Sequence, residues 1–155
     1  MAIVYIAVIG GGRASPEIAA LAREVGREVA RRGAVLICGG LGGVMAAAAQ
    51  GATAAGGVSL GILPDADRHR ASPYLTYSLA TNLGHARNIL IAHSADALIA
   101  VDSAYGTISE AAIALKLGKP VVALKVEWDL HGLLRAATPL EAVALAFEAA
   151  LEGAN

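Results

Sequence analysis

Six residues near the middle of the chain, Tyr105-Gly106-Thr107-Ile108-Ser109-Glu110, place a small hydroxyl and a carboxylate three positions apart behind a glycine. A turn of this kind, between a strand and a helix, is where an open α/β sheet receives a phosphate and a ribose. Thr107-x-x-Glu110 ahead of an apolar run is also the pattern of a capping box, which satisfies free backbone N–H groups and needs no ligand. Two further turns bear on the choice. Gly10-Gly11-Gly12 follows one apolar run, and Gly39-Gly40-Leu41-Gly42-Gly43-Val44-Met45 follows another. Glycine lets backbone N–H groups approach an anion, and the following helix adds its dipole. Three such turns on one sheet edge predict a nucleotide-like anion site involving Gly11, Gly12, Gly40, Gly42, Gly43, Met45, Tyr105, Gly106 and Thr107. Arg87, in a segment otherwise mostly small or apolar, is either a solvated charge or one held toward an acid or phosphate.

Other chemistries find no support. Neither early glycine turn matches G-x-G-x-x-G, no acidic residue ends the second strand, and no G-x-x-x-x-G-K-[ST] occurs. The three lysines (Lys116, Lys119, Lys125) lack a partner motif for a pyridoxal Schiff base. The four histidines (His69, His85, His93, His131) lack metal-ligand spacing. Cys38, the only cysteine, ends an apolar run and reads as a buried hydrophobe in a cytoplasmic protein. A net charge of −1 without a basic stripe argues against a nucleic-acid partner. No apolar tract is long enough for a membrane span, and no signal peptide is visible.

The elements that must position these residues follow from punctuation by glycine and proline. With 56% hydrophobic and 16% charged residues, elements must be buried on more than one face. Strands are predicted at 3–9, 35–38, 58–62, 74–78, 97–101 and 121–125, and helices at 16–32, 43–55, 84–93, 107–117 and 139–151. Several strands are continuous apolar runs, the mark of a sheet covered on both faces. The alternation predicts a doubly wound, mainly parallel α/β fold, Rossmann-like, in one domain over 1–155. Ser15-Pro16 and Thr138-Pro139-Leu140-Glu141 open helices, and Gly33 and Gly118 close them. The polar stretch 64–73 reads as a surface loop bordering the site. High mean hydropathy and two alanine-rich helices, 43–55 and 107–117, predict a homo-oligomer, dimer or tetramer, packed through those helices.

Gly39-Gly-Leu-Gly-Gly-Val-Met45, Gly61-Ile62-Leu63-Pro64, Ala86-Arg87-Asn88, Ser94-Ala95-Asp96-Ala97, Tyr105-Gly106-Thr107-Ile108-Ser109-Glu110 and Leu117-Gly118-Lys119-Pro120 occur in that order. Over roughly residues 3–126 the chain resembles the LOG-like Rossmann proteins, the "possible lysine decarboxylase" superfamily. That superfamily holds cytokinin-activating phosphoribohydrolases and molybdenum cofactor carrier proteins. The resemblance implies that Gly106 and Thr107 hold a 5′-phosphate and that Arg87 and Glu110 are the catalytic pair if the chain is an enzyme. Asp102-Ser103-Ala104 stands where the hydrolases carry Pro-Gly-Gly, and Asn88 stands in place of a lysine. The chain thereby looks nearer to the carrier-like and short uncharacterised members. The expected function is binding of a phosphorylated small molecule, a nucleotide monophosphate or a molybdopterin-type cofactor. The alternative is a nucleoside 5′-monophosphate phosphoribohydrolase, and a vestigial regulatory site is a third reading. Decarboxylation of lysine is not expected.

Overall fold

The computed structural model describes residues 2–154. Seven strands form one sheet in the order β4-β3-β2-β1-β5-β6-β7, and every neighbouring pair is parallel. In chain order they are β1 (Tyr5–Gly10), β2 (Val35–Cys38), β3 (Ser59–Leu63), β4 (Tyr77–Ala80), β5 (Ala97–Val101), β6 (Val121–Leu124) and β7 (Leu134–Ala136). Five helices accompany them: α1 (Pro16–Arg31), α2 (Val44–Ala54), α3 (Arg87–Ser94), α4 (Tyr105–Lys116) and α5 (Pro139–Glu152). Short 3₁₀ turns lie at Arg68–Arg70 and Gly84–Ala86. The predicted doubly wound α/β fold is the observed one.

Strand pleating sorts the core into two layers. Ile6 and Val8 of β1 and Ile99 and Val101 of β5 face α1, α2 and α5. Ala7 and Ile9, with Leu98 and Ala100, face α3, α4 and the loop carrying Trp128 and Leu130. All five residues of β5 and all four of β6 are buried, which is why both were legible as unbroken apolar runs. Side chains cap the helices that the sequence marks. Ser15 Oγ accepts from Ile18 N–H (3.2 Å) and Thr138 Oγ1 accepts from Glu141 N–H (3.2 Å). The Glu141 carboxylate reaches back to accept from Ala137 N–H at 3.0 Å. Gly33 and Gly118 follow α1 and α4 with φ of 71° and 77°, the left-handed conformation expected of them.

Several expectations are corrected. The first strand begins at Tyr5, and Ile3 is exposed. The strand expected at 74–78 lies at Tyr77–Ala80, because Ser59 and Thr76 exchange side-chain-to-backbone hydrogen bonds (3.0 and 3.1 Å) before the ladder starts. The short edge strand β7 carries no apolar run and was not foreseen. Gly43 is the residue before α2, not its first. The helix expected from Gly84 is a 3₁₀ turn followed by α3. The alanine face of α2 does not serve association: Ala48, Ala49 and Ala52 are fully buried within the chain. An added Cβ at Gly26 would strike the Ala48 carbonyl, and one at Gly51 the Arg23 carbonyl, so α1 and α2 cross backbone to backbone. Among the described residues no helix is long and apolar enough to cross a membrane.

Candidate functional site

Strand order reverses at β1, whose neighbours β2 and β5 send the chain away in opposite directions. Open parallel sheets bind ligands in the crevice at such a point, beyond the strand C-termini. A cavity of about 460 Å³ lies there, within the usual range for small-molecule sites. Its walls come from the turn after β1 (Gly10, Gly11, Gly12), the start of α2 (Leu41, Met45), Pro64 after β3, the segment before and into α3 (Gly84, His85, Arg87, Asn88) and the start of α4 (Ala104, Gly106, Thr107, Glu110).

The two early glycine turns hold each other. Val44 N–H donates to the Gly11 carbonyl at 3.0 Å, and a Cβ at Gly10 would come within 2.5 Å of Val44 Cβ. Gly43 has φ of 62°, and a Cβ there would drive into the Gly11 carbonyl. Both turns thus take this shape only as glycine. Gly39 does something different. A Cβ there would stand 2.5 Å from Arg87 Nη1 and 2.6 Å from Met45 Sδ, so its missing side chain is the seat of the Arg87 guanidinium.

Arg87 is only 7% exposed. Its Nη1 donates to Asn88 Oδ1 at 2.8 Å, while Nε is buried with no partner. Thr107 Oγ1 is likewise buried and unpartnered. Buried polar atoms are normally satisfied, and two of the three orphans among the described residues, the third being Trp128 Nε1, belong to residues that line this cavity. The helix ends agree. Whereas α1 and α5 are capped by side chains, α2 and α4 have Gly43 and Ala104 at their caps and no side-chain bond, and both open on the cavity. The capping-box reading of Thr107 and Glu110 is therefore wrong: α4 starts two residues earlier, at Tyr105, and Thr107 is inside it. Burial pushes the Glu110 carboxyl up from 4.5 to about 7, with Arg87 pulling against the rise. Burial also lowers the Arg87 pKa, opposed first by Glu110 and then by Cys38 and Asp65. Cys38, buried beneath the pair, is raised to about 11, the state of an inert thiol. The site thus offers fixed positive charge, backbone donors and one carboxyl able to hold or release a proton near neutral pH.

Of the residues singled out by sequence, Gly11, Gly12, Met45, Arg87, Gly106, Thr107 and Glu110 come together on this cavity. Four do not. Gly40 (φ 79°) packs on Leu63, and its carbonyl accepts from Ser72 N–H at 2.8 Å. Gly43 shapes the turn from behind, Gly42 lines a separate hollow, and Tyr105 is 91% exposed. Asp102, which stands where the hydrolases carry the proline, does not line the cavity. It takes φ of 69°, and its N–H donates to the Leu124 carbonyl at 3.1 Å. Ser103 Oγ accepts from Glu127 N–H at 2.7 Å, so this connection is tied to the loop after β6. Sequence reasoning missed Asn88, His85, Gly84, Pro64, Leu41, Ala104 and Gly10 as lining residues. In the sequence Asn88 is marked only as the residue in place of the family's lysine, and Pro64 only as the start of the loop expected to border the site. Among the described residues no three His, Cys, Asp or Glu side chains converge as a metal site.

The sequence profile of the SLOG cluster4 family matches residues 3–149. The chain belongs to that family. An uncharacterised relative from Archaeoglobus fulgidus is 48% identical over 143 residues, 92% of this chain and 94% of its own. Two solved structures are similar to the SLOG cluster4 chain over almost their full length. The molybdenum cofactor binding protein of the phototrophic bacterium Rippkaea orientalis superposes with a TM-score of 0.90 at 35% identity, covering 96% of this chain and 98% of that one. The molybdenum cofactor carrier protein of Chlamydomonas reinhardtii gives 0.88 at 32% identity, covering 96% and 98%. The LOG-like resemblance read from the motifs, and its lean toward the carrier-like members, agree with these matches.

Proposed function

We propose that the whole chain is a single binding domain for a phosphorylated small molecule of molybdopterin type, held at the C-terminal edge of the sheet. The observation that carries this reading is the pair of orphaned buried groups, Arg87 Nε and Thr107 Oγ1, beside the uncapped starts of α2 and α4. A phosphate monoester fits that donor set. It accepts from Arg87 and Thr107 and lies at two helix N-termini. Leu41, Met45 and Pro64 give an apolar wall for a ring. The likeness to two proteins named for binding or carrying the molybdenum cofactor supports the choice of ligand class. When bound, such a group brings its own metal and redox chemistry. This chain's residues hold the phosphate, screen the ring from water and keep a proton on Glu110. The protein acts in the cytoplasm as a homo-oligomer.

The test is anaerobic titration of the purified protein with molybdopterin, read by ligand fluorescence, for wild type and Arg87→Gln. Saturable one-to-one binding that the substitution weakens supports the reading. Equal affinity in the two proteins, or no binding, removes it.

One observation favours a second reading, the phosphoribohydrolase. A carboxyl poised near 7 beside a buried arginine could steady the oxocarbenium-like sugar of a nucleoside monophosphate or position a water. Release of free base from AMP by wild type, and its loss in Glu110→Gln, would establish that activity.

A further inference from the structure

On the other side of α2's first turn lies a shallow hollow of about 270 Å³. It adjoins the main cavity across Leu41, which lines both, and the adjacent residues Met45 and Ala46 line one each. We infer that this hollow is a second ligand subsite, which takes the base of a dinucleotide-type ligand whose phosphate-bearing pterin half occupies the main cavity. The inference rests on the molybdopterin reading and narrows it.

The lining suits a flat aromatic ring. Gly42, Ala46, Ala71 and Pro73 give a small, apolar surface, with Tyr74 and Arg70 beside it. Tyr74 is 43% exposed, and a tyrosine ring at the mouth of a hollow can stack on a base. Arg70 forms no ion pair among the described residues, since the nearby Asp67 carboxylate is taken by His69 at 2.9 Å. An unpaired guanidinium beside a tyrosine can stack on a base or pair with a bridging phosphate. The loop that presents both is anchored. Ser72 N–H donates to the Gly40 carbonyl at 2.8 Å, and Arg70 N–H to the Asp67 carbonyl at 3.3 Å. Ser72 Oγ accepts from Tyr74 N–H at 3.4 Å. The loop is therefore tied directly to the glycine turn that borders the cavity. This is the polar stretch the sequence placed beside the site, and the phosphate-binding function leaves it without a role.

The experiment compares two probes, molybdopterin and its dinucleotide, in which a nucleoside monophosphate is joined through a pyrophosphate. Wild type, Arg70→Ala and Tyr74→Ala are titrated with each, after circular dichroism has shown all three folded. Wild type is expected to bind the dinucleotide about tenfold more tightly, the scale of one charge-assisted contact or one stacked base. Each substitution should bring that ratio toward one. A wild-type ratio of one, or a preference that survives both substitutions, overturns the subsite while leaving molybdopterin binding in place. Failure of both probes to bind overturns it together with the reading beneath it.

Discussion

Replacing Glu110 with glutamine isolates the electrostatic strain of the cavity. In the unfolded chain this carboxyl titrates at its ordinary 4.5, and in the fold burial carries it to about 7. The folded state therefore binds the proton more tightly than the unfolded one. As pH rises from 4.5 to 7 the unfolded chain has released the proton while the folded chain retains it, so stability falls. Above 7 both states are ionised and the loss levels off. With each pH unit worth about 1.4 kcal/mol, the whole interval amounts to about 3 kcal/mol. Glutamine has the same shape and no titration. The variant should gain on wild type from pH 5 to about pH 7, by up to about 3 kcal/mol relative to acid pH, and then level off toward pH 8. Urea unfolding at four pH values in that interval reads the difference, and groups common to both proteins cancel. Unchanged m-values would show that the unfolded state is the same. A difference that stays constant within about 0.5 kcal/mol across the interval would refute the argument.

Three more outcomes are expected. Arg87→Gln should weaken a phosphorylated ligand about thirtyfold by calorimetry, and Arg87→Lys should not restore it, because the seat at Gly39 fits a planar fork. Gly51→Ala should cost about 2–3 kcal/mol in urea unfolding by forcing α2 off the Arg23 carbonyl, whereas Gly12→Ala, with nothing within 4 Å of its Cβ, should stay within about 0.5 kcal/mol. Cys38 should resist a thiol reagent at pH 8 in the folded protein and react at once in urea, since it is buried with its pKa near 11.

How far the sequence could be read depended on what holds each element. The strands β5 and β6 are buried on both faces, so their composition announces them. The edge strands β4 and β7 are largely exposed and carry no such pattern; β4 is positioned by the Ser59–Thr76 exchange, which no periodicity reveals. In the site, the glycine turns were visible because their chemistry is local. The spacing of Thr107 and Glu110 could not tell a capping box from a ligand site, because a box and a helix turn facing a cavity share it. The structure decides, through where α4 begins. For Arg87 the residues alone leave a solvated charge and one held toward an acid or phosphate equally open. The structure decides through contacts that are not local: its guanidinium is received by Gly39, and its opposing charge, Glu110, lies on another helix.

The backbone crossing of α1 and α2 makes the crevice mechanically lopsided. With Gly26 and Gly51 admitting carbonyls of the opposite helix, α2 cannot slide or tilt without collision, and the Gly10 and Gly43 turns lock its start to β1. That flank behaves as a fixed jig. The opposite flank is the eight-residue α3, entered through a 3₁₀ turn whose Gly84 has φ of 57° and whose cap lacks a side-chain bond. The rigid flank of the crevice is therefore α2, while Arg87 sits on the flank whose entry is held by fewer such contacts.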